Sequence, residues 1–452
     1  MPKVAIIGAG LAGSLLAIYL AKRGITVDVY EARGDIRREA ASAGRSINLA
    51  LSDRGIAALR GVGMDDYMLA EAVPMYGRMI HGLSGETKLL PYSGREGEYI
   101  NSVSRAGLNV AIIDAADKFG DVTFHFGRRC TDFDCETGEV VFAGGRVHSE
   151  TVIGTDGAGS AVRRAVGSFV KGFDASQEWL DHGYKELHIP PGVKGEFQLE
   201  KNALHIWPRN QFMMIALPNF DGSFTCTLFI AHRGDRRSSG KPGVRVPAFD
   251  QLKDASSVLE FFNDEFQDAV PLMPTLTDDF FANPIGVLGT VKCYPWNVGG
   301  RALLLGDAAH ALVPFYGQGM NCAFEDVRVL DNLIEEYGTD WKTVYENFGQ
   351  LRKENTDAIA DMAVENFYEM RDATADPVFQ RKRELETKLE QTYPEYFSKY
   401  SMVTFREDLP YSAAKRKGNA QDELLMEICR SVDDVGAIDF DDVITQVEAL
   451  GA

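Results

Sequence analysis

Three glycines near the start of the chain restrict its fold more than any other feature. Gly8, Gly10 and Gly13 follow the apolar run Val4-Ala5-Ile6-Ile7 and open a segment, Ala12 to Arg23, that reads as a helix stopped by Gly24. A second run, Ile25 to Tyr30, reads as a strand, and Glu31 ends it 18 residues after Gly13. This is a strand, glycine turn, helix, strand unit, which implies a doubly wound parallel sheet. Gly8 permits the tight turn, Gly10 lets backbone approach a pyrophosphate, and Gly13 lets the helix pack on the strand. The helix N-terminus faces the phosphates, and a carboxylate at Glu31 can accept both ribose hydroxyls of an adenosine. The uncharged stretch 4–21 is therefore read as this unit and not as a signal peptide or a membrane span.

Composition narrows the partners. Lys and Arg number 47 against 66 Asp and Glu, a net charge of −19, which repels phosphate backbones and argues against nucleic acid. The short basic run Lys415-Arg416-Lys417 is read as a solvated loop. The six cysteines form no C-x-x-C pair and no His pair has zinc spacing, so no metal is expected. The cysteines are read as small buried hydrophobes of a reducing compartment.

Further along, the character changes. Residues 185–189, 203–207, 212–217 and 223–230 read as strands separated by short turns, an antiparallel meander forming a second subdomain that 75–92 joins. Met213, Ile215 and Leu217 alternate and share one strand face. Arg233 to Val246 reads as a mobile loop. From Asn321 the pattern is helical: Ala323, Val327, Leu330, Ile334 and Tyr337 recur at helical spacing and Gly338 ends the run. Helices are also expected over 341–371, 375–392, 411–431 and 439–450. The fold class is α/β, with three units. A discontinuous nucleotide-binding domain spans 1–74, 93–175 and 285–335; an antiparallel-sheet substrate domain spans 75–92 and 176–284; a C-terminal helical region spans 336–452.

Two more motifs complete the pattern. One is Gly154-Thr155-Asp156-Gly157-Ala158-Gly159; the other is Gly306-Asp307-Ala308-Ala309-His310, followed by Pro314 and Gly317-Gln318-Gly319-Met320-Asn321. In this order and spacing the three resemble the single-component FAD-dependent aromatic hydroxylases of the para-hydroxybenzoate hydroxylase type. Tyr76-Gly77-Arg78-Met79, Glu365-Asn366-Phe367 and the blocks 44–52, 182–187, 202–208, 314–322 and 400–405 resemble, within that group, the kynurenine 3-monooxygenases over nearly the whole chain.

That resemblance implies non-covalent FAD, with NADPH and O₂ as co-substrates. It implies hydroxylation of L-kynurenine to 3-hydroxykynurenine through a flavin hydroperoxide, in tryptophan degradation toward NAD synthesis. It assigns Gly8, Gly10, Leu11, Gly13, Glu31, Arg33, Ala50, Arg105, Cys130, Gly306, Asp307, Gly319, Met320 and Asn321 to the cofactor. The positive end of the helix near Gly319 would stabilise reduced flavin. Arg78, Tyr92 and Tyr400 would hold the substrate carboxylate, and Asn366 would contact substrate. Leu204, Met213, Ile215, Leu217, Phe229 and Phe315 would line an apolar pocket. No side-chain nucleophile is required, and His310 is expected to pack near the cofactor rather than act as a base. Thr155 stands where many relatives have Ala, and Tyr316 where some carry His or Phe. The hydrophobic tail of the animal enzymes has no counterpart here, so a cytoplasmic, anchor-free form is expected, with room for a homodimer. The rival readings are a flavin hydroxylase of another aromatic acid and a non-enzymatic flavin-binding redox module.

Overall fold

The computed structural model describes residues 3–39, 48–234, 247–373 and 376–450. Most of the expected 233–246 loop, and residues 44–47 of the 44–52 block, lie outside the described residues.

The glycine-rich unit nucleates a six-stranded sheet in the order 297–298, Ala302–Leu304, Thr151–Gly154, Lys3–Ile7, Thr26–Tyr30 and Val122–His125. Every neighbouring pair is parallel except the two-residue edge strand. The central strands are buried on both faces, which is why they read as unbroken apolar runs. Helix Leu11–Lys22 is buried almost throughout, clasped between helices Arg105–Ala116 and Gly319–Tyr337. Each of the three motifs leaves the carboxyl end of one of three adjacent parallel strands. Doubly wound sheets bind their ligands at that end.

The second sheet has seven strands, in the order Gly286–Tyr294, Asp174–Ile189, Phe224–Ala231, Met213–Pro218, Ala203–Pro208, Gly77–His81 and Thr87–Pro91. It departs from a simple meander in two ways. Asp174–Ile189 pairs with Phe224–Ala231 and not with the strand that follows it in sequence. Ala203–Pro208 and Gly77–His81 run parallel. Strand Asp174–Ile189 also begins eleven residues before Lys185; its first half is mostly exposed, with Trp179 and Leu180 adjacent and no apolar alternation to mark it as a strand. The partner strand Gly286–Tyr294 belongs to this sheet although the boundary at 285 assigns it to the nucleotide-binding unit. Strand 73–75 lies in a separate small sheet with Asn48–Leu51 and Ile100–Ser104.

Period-2 alternation divides the large sheet. Met214, Ala216, Cys226 and Leu228 pack with Phe261, Phe262 and Phe266 beneath helices Ala255–Glu265 and Leu276–Ala282, two helices the strand-based reading does not contain. Ile215, Leu217 and Phe229 face the other way, toward the parallel-sheet domain.

The C-terminal helices fall at Trp341–Tyr368, Pro377–Thr392, Tyr411–Arg430 and Phe440–Ala449, with a short unanticipated helix Lys399–Thr404. Lys415-Arg416-Lys417 is not a loop: it lies on helix Tyr411–Arg430, where Lys415 meets Asp361 at 2.6 Å and Arg416 meets Glu354 at 3.1 Å. All six cysteines are free thiols; five are buried and Cys130 is half-buried. No helix among the described residues is long and apolar enough to cross a membrane.

Candidate active site

The cofactor end is built by mutual contact of the three motifs. Gly8 has φ +110°, a region L side chains rarely adopt, and a Cβ there would stand 2.5 Å from the Thr155 carbonyl oxygen. A Cβ on Gly13 would stand 2.1 Å from the Gly8 oxygen, so this glycine sets how closely helix and strand approach. The Thr155 hydroxyl donates to the carbonyls of Ile7 and Gly8, a cross-link between the first and second motifs. Asp156 lines the cavity while its carboxylate accepts from Ser160 Oγ and from the amides of Ala161 and Val162, capping helix Ala161–Phe169. Arg163 on that helix donates to the Ala308 carbonyl at 2.7 Å, tying the second motif to the third.

Gly10 differs from its neighbours. A Cβ there would meet no protein atom within 4 Å, yet the residue lines the cavity at the helix N-terminus. Glu31 is held by its own turn, accepting from Ala9 N at 2.9 Å, Arg33 N at 2.9 Å and Arg33 Nε at 2.8 Å. Burial opposes its ionisation, but Arg33 and the Ala9 amide prevail and hold the carboxyl below the usual range. Each oxygen keeps acceptor capacity for a hydroxyl. Asp307 faces the cavity, where burial pushes its carboxyl up and Arg105 pulls it back down only in part. Burial, with the Asp156 charge nearby, pushes the Cys130 thiol up to about 12, so it is no nucleophile at neutral pH.

Asn321 acts differently from its assignment. Its side chain accepts from Ser52 N at 3.0 Å and donates to the carbonyls of Ala50 and Gly317, so it braces the loop before helix Gly319–Tyr337 and does not line the cavity. Gly306 and Gly13 likewise shape the backbone from behind. Gly8, Gly10, Leu11, Glu31, Arg33, Ala50, Arg105, Cys130, Asp307, Gly319 and Met320 all line the cavity.

The same cavity, about 980 Å³, continues to the inner face of the seven-stranded sheet. There Tyr92, Tyr400 and Tyr316 form a stack: Tyr92 and Tyr400 lie 5.0 Å apart at 10°, Tyr400 and Tyr316 5.5 Å apart at 14°. Arg78 is buried against the stack, its guanidinium carbon 5.0 Å from the Tyr400 ring centre. The Tyr92 hydroxyl is buried beside Tyr400 and Arg78, which interact with it, but it makes no hydrogen bond of good geometry among the described residues, so it has capacity for a ligand. Leu204, Ile215, Leu217, Phe229 and Phe315 complete an apolar wall. Two expected members stay outside it. Met213 packs one layer deeper, and Asn366 donates to the Phe315 carbonyl at 2.6 Å, holding the wall without facing the cavity.

Glu369 is the residue that sequence reading misses. Its Oε1 lies 3.3 Å from Arg78 Nη1. Burial opposes the Arg78 charge, but the Glu369 carboxylate outweighs it and keeps the guanidinium protonated. The helix Trp341–Tyr368 unwinds into a π turn over Glu369–Ala373. That turn breaks the 3.6 period by which Glu369 would have been placed, and such turns concentrate at functional sites. The one available signal is the spacing from Asn366, three residues earlier.

His310 is buried away from the cavity, with Nε2 2.6 Å from Asp326. Cys322 lies close to both, but Arg352 already supplies the positive charge to Asp326 at 2.7 Å, so the group is a salt-bridge cluster and not a metal cage.

Residues 1–237 and 289–343 match the family model described as an FAD binding domain. A kynurenine 3-monooxygenase of Myxococcus xanthus (strain DK1622) is 48% identical over 432 residues, 94% of this chain and 90% of that protein. One of Stenotrophomonas maltophilia (strain K279a) is 43% identical over 454 residues, 99% of this chain and 96% of that protein. Among solved structures, the tetrameric form of 2-methyl-3-hydroxypyridine-5-carboxylic acid oxygenase superposes with a TM-score of 0.66 at 19% identity, over 88% of this chain and 99% of that one. A point variant of Klebsiella pneumoniae HpxO complexed with FAD gives 0.66 at 21%, over 85% and 95%. At these identities the solved structures speak for the fold alone.

Proposed function

Because this chain belongs to the kynurenine 3-monooxygenase family of FAD-binding-domain proteins, we propose a specific way in which its residues receive FAD and L-kynurenine. FAD is the cofactor and NADPH the co-substrate. Bound flavin supplies the chemistry, taking electrons from NADPH and activating O₂; the chain binds, orients and excludes water.

The glycine turn and the N-terminus of helix Leu11–Lys22 receive the pyrophosphate, and Glu31 accepts the adenosine ribose. Asp307 meets the ribitol, and the N-terminus of helix Gly319–Tyr337 faces the ring. The cradle fits: Gly10 has open space where a side chain would stand, while Gly8 and Gly13 are closed by protein.

One observation carries the substrate assignment: a buried Arg78, paired with Glu369 and flanked by Tyr92 and Tyr400, at the end of an apolar cavity. Such a pair matches the head of an α-amino acid: Arg78, which lines the cavity, takes the carboxylate, and Glu369, paired with Arg78 but outside the lining of the cavity, supplies the negative charge toward the ammonium. Neither charge could enter a dry pocket uncompensated. The aniline ring then lies among Leu204, Ile215, Leu217, Phe229 and Phe315. Its nitrogen already activates the ring, so no side-chain nucleophile is needed, and water exclusion protects the activated oxygen. Kynurenine should stimulate NADPH oxidation by the purified protein several-fold; a rate indifferent to kynurenine would reject this reading.

Two expected results test parts of it. Glu369→Gln should raise the kynurenine KM about tenfold, as expected for loss of one charge-assisted bond at a partly exposed carboxylate. The KM for an analogue lacking the α-amino group should stay unchanged, and an equal rise for both compounds would remove Glu369 from the ammonium site. Acid precipitation should release all the flavin to the supernatant, because Cys130, the one cysteine among the described residues that line the cavity, is held as a neutral thiol. Flavin left in the pellet would show a covalent bond. We infer further that the protein works in the cytoplasm, has no nucleic-acid partner, and can assemble as a homodimer.

A further inference from the structure

Trp179 is out of place for an indole. It is 59% exposed, whereas Trp207 and Trp296 are buried. It lines the mouth of the cofactor cavity, together with Val287, Gly289 and Thr290 of the neighbouring strand. Trp179 pairs with Gly289, and a Cβ on Gly289 would lie 2.6 Å from two carbons of the indole. The ring is thus laid against bare backbone on one side. Beyond Trp179 the pairing of the two strands is irregular until Gly183. An irregularity of this kind re-aims side chains and is common beside active sites.

An aromatic ring over a cross-strand glycine is also a packing device, and the same sheet shows one: Tyr184 lies over Gly286, where a Cβ would meet its ring at 2.2 Å. Tyr184, however, is partly covered, while Trp179 leaves most of its surface to solvent. Packing alone does not call for the largest aromatic side chain at an exposed position.

The location says what the ring serves. Val291, two residues from Gly289, donates to the Ala311 carbonyl at 2.9 Å, so this wall runs into the segment that follows Asp307. Arg105, exposed to the cavity, acts electrostatically on Asp307 and on Tyr184 and Glu186 of Trp179's own strand. Arg128, Arg129 and Arg164 line the same cavity. Within a chain of net charge −19, this is a local concentration of cations suited to the phosphates of more than one nucleotide. A resident cofactor belongs in the enclosed part of the cavity. A ligand that enters and leaves in each turnover belongs at the open mouth.

We propose that Trp179, backed by Gly289, is the docking face for the nicotinamide ring of NADPH, with Arg105 as a counter-charge for its phosphates. This rests on the flavin monooxygenase reading above. Stacking a planar ring on an exposed indole is worth a roughly fivefold to tenfold change in affinity.

The test uses purified holoenzyme and NADP⁺ as the probe. Titration should quench tryptophan fluorescence in the wild type, and calorimetry should give the Kd. Trp179→Leu should weaken NADP⁺ about fivefold to tenfold. Trp179→Phe should keep most of the affinity but lose the quench, because the remaining tryptophans lie elsewhere. FAD content and kynurenine affinity should match the wild type in both variants. NADP⁺ affinity within twofold of wild type in Trp179→Leu would overturn the assignment. So would a fall in FAD content, which would mean that the ring serves the flavin, or a change of oligomeric state, which would mean that a second copy covers it. Failure of NADPH to bleach the flavin of the wild type would instead reject the functional reading on which the proposal stands.

Discussion

Arg78→Ala is expected to raise the kynurenine KM by about 30- to 1,000-fold while FAD content stays normal. The magnitude follows from removing one partner of a desolvated charge-assisted bond, roughly 2–4 kcal/mol. Arg78 is 7% exposed, packs on the tyrosine stack and has a single carboxylate contact among the described residues, to Glu369 at 3.3 Å. A guanidinium has five donors, so one such contact leaves a fork free for a second carboxylate. The whole chain is acidic, so its long-range field opposes an anion and only a local cation can offset it. Removing Arg78 would also take from Glu369 its ion-pair partner, leaving Arg383, Lys382 and Lys399 as its remaining counter-charges. The control is a kynurenine analogue without the carboxylate, which should bind wild type and mutant about equally. Arg78→Lys should recover part of the loss, because a point charge remains but the planar fork does not. If KM for kynurenine in Arg78→Ala stays within about twofold of wild type, less than about 0.5 kcal/mol, the substrate pose is wrong.

Gly10→Val is expected to yield folded but colourless protein. A side chain at Gly10 meets no protein atom within 4 Å, and its φ of −72° is ordinary, so the polypeptide itself can accept it. What it displaces is the pyrophosphate, and a loss of more than about 100-fold in FAD affinity, roughly 2.7 kcal/mol, is expected. Far-UV circular dichroism should match that of wild-type apoprotein; the comparison must be with apoprotein, since losing a bound cofactor lowers stability by itself. Gly13→Val provides the contrast. Its Cβ would lie 2.1 Å from the Gly8 oxygen, so the helix must part from the strand and soluble protein should be lost. Yellow Gly10→Val protein, or a Gly13→Val protein as stable as wild type, would mean that the glycines do not have the roles assigned to them.

What the sequence made legible is local. Gly8, Gly10 and Gly13 state their geometry within one short segment, and the buried parallel strands show themselves as apolar runs. Helix Gly319–Tyr337 announces its face by period and its end by Gly338, whose φ is +62°. The resemblance then supplied Arg78, Tyr92 and Tyr400, whose side chains come together only through strand pairing and packing distant in sequence. What stayed hidden depends on such long-range contacts. Strand Asp174–Ile189 is half exposed and so lacks the alternation that marks a strand. The helices Ala255–Glu265 and Leu276–Ala282 interrupt a region that reads as continuous sheet. Glu369 stands where helix Trp341–Tyr368 passes into a π turn, and its pairing with Arg78 is a long-range contact that no local pattern announces. Asn366, Asn321 and Met213 show the converse. They were assigned to ligands by resemblance, and in the structure they brace the residues that face the cavity.

The most direct measurement is of product. Purified yellow protein, incubated with L-kynurenine, NADPH and O₂, should form 3-hydroxykynurenine, identified by mass and retention against authentic standard. NADPH should be consumed nearly mole for mole, and no product should form without either co-substrate. Kynurenine recovered intact, with NADPH oxidised at a rate that kynurenine does not change, would contradict the account.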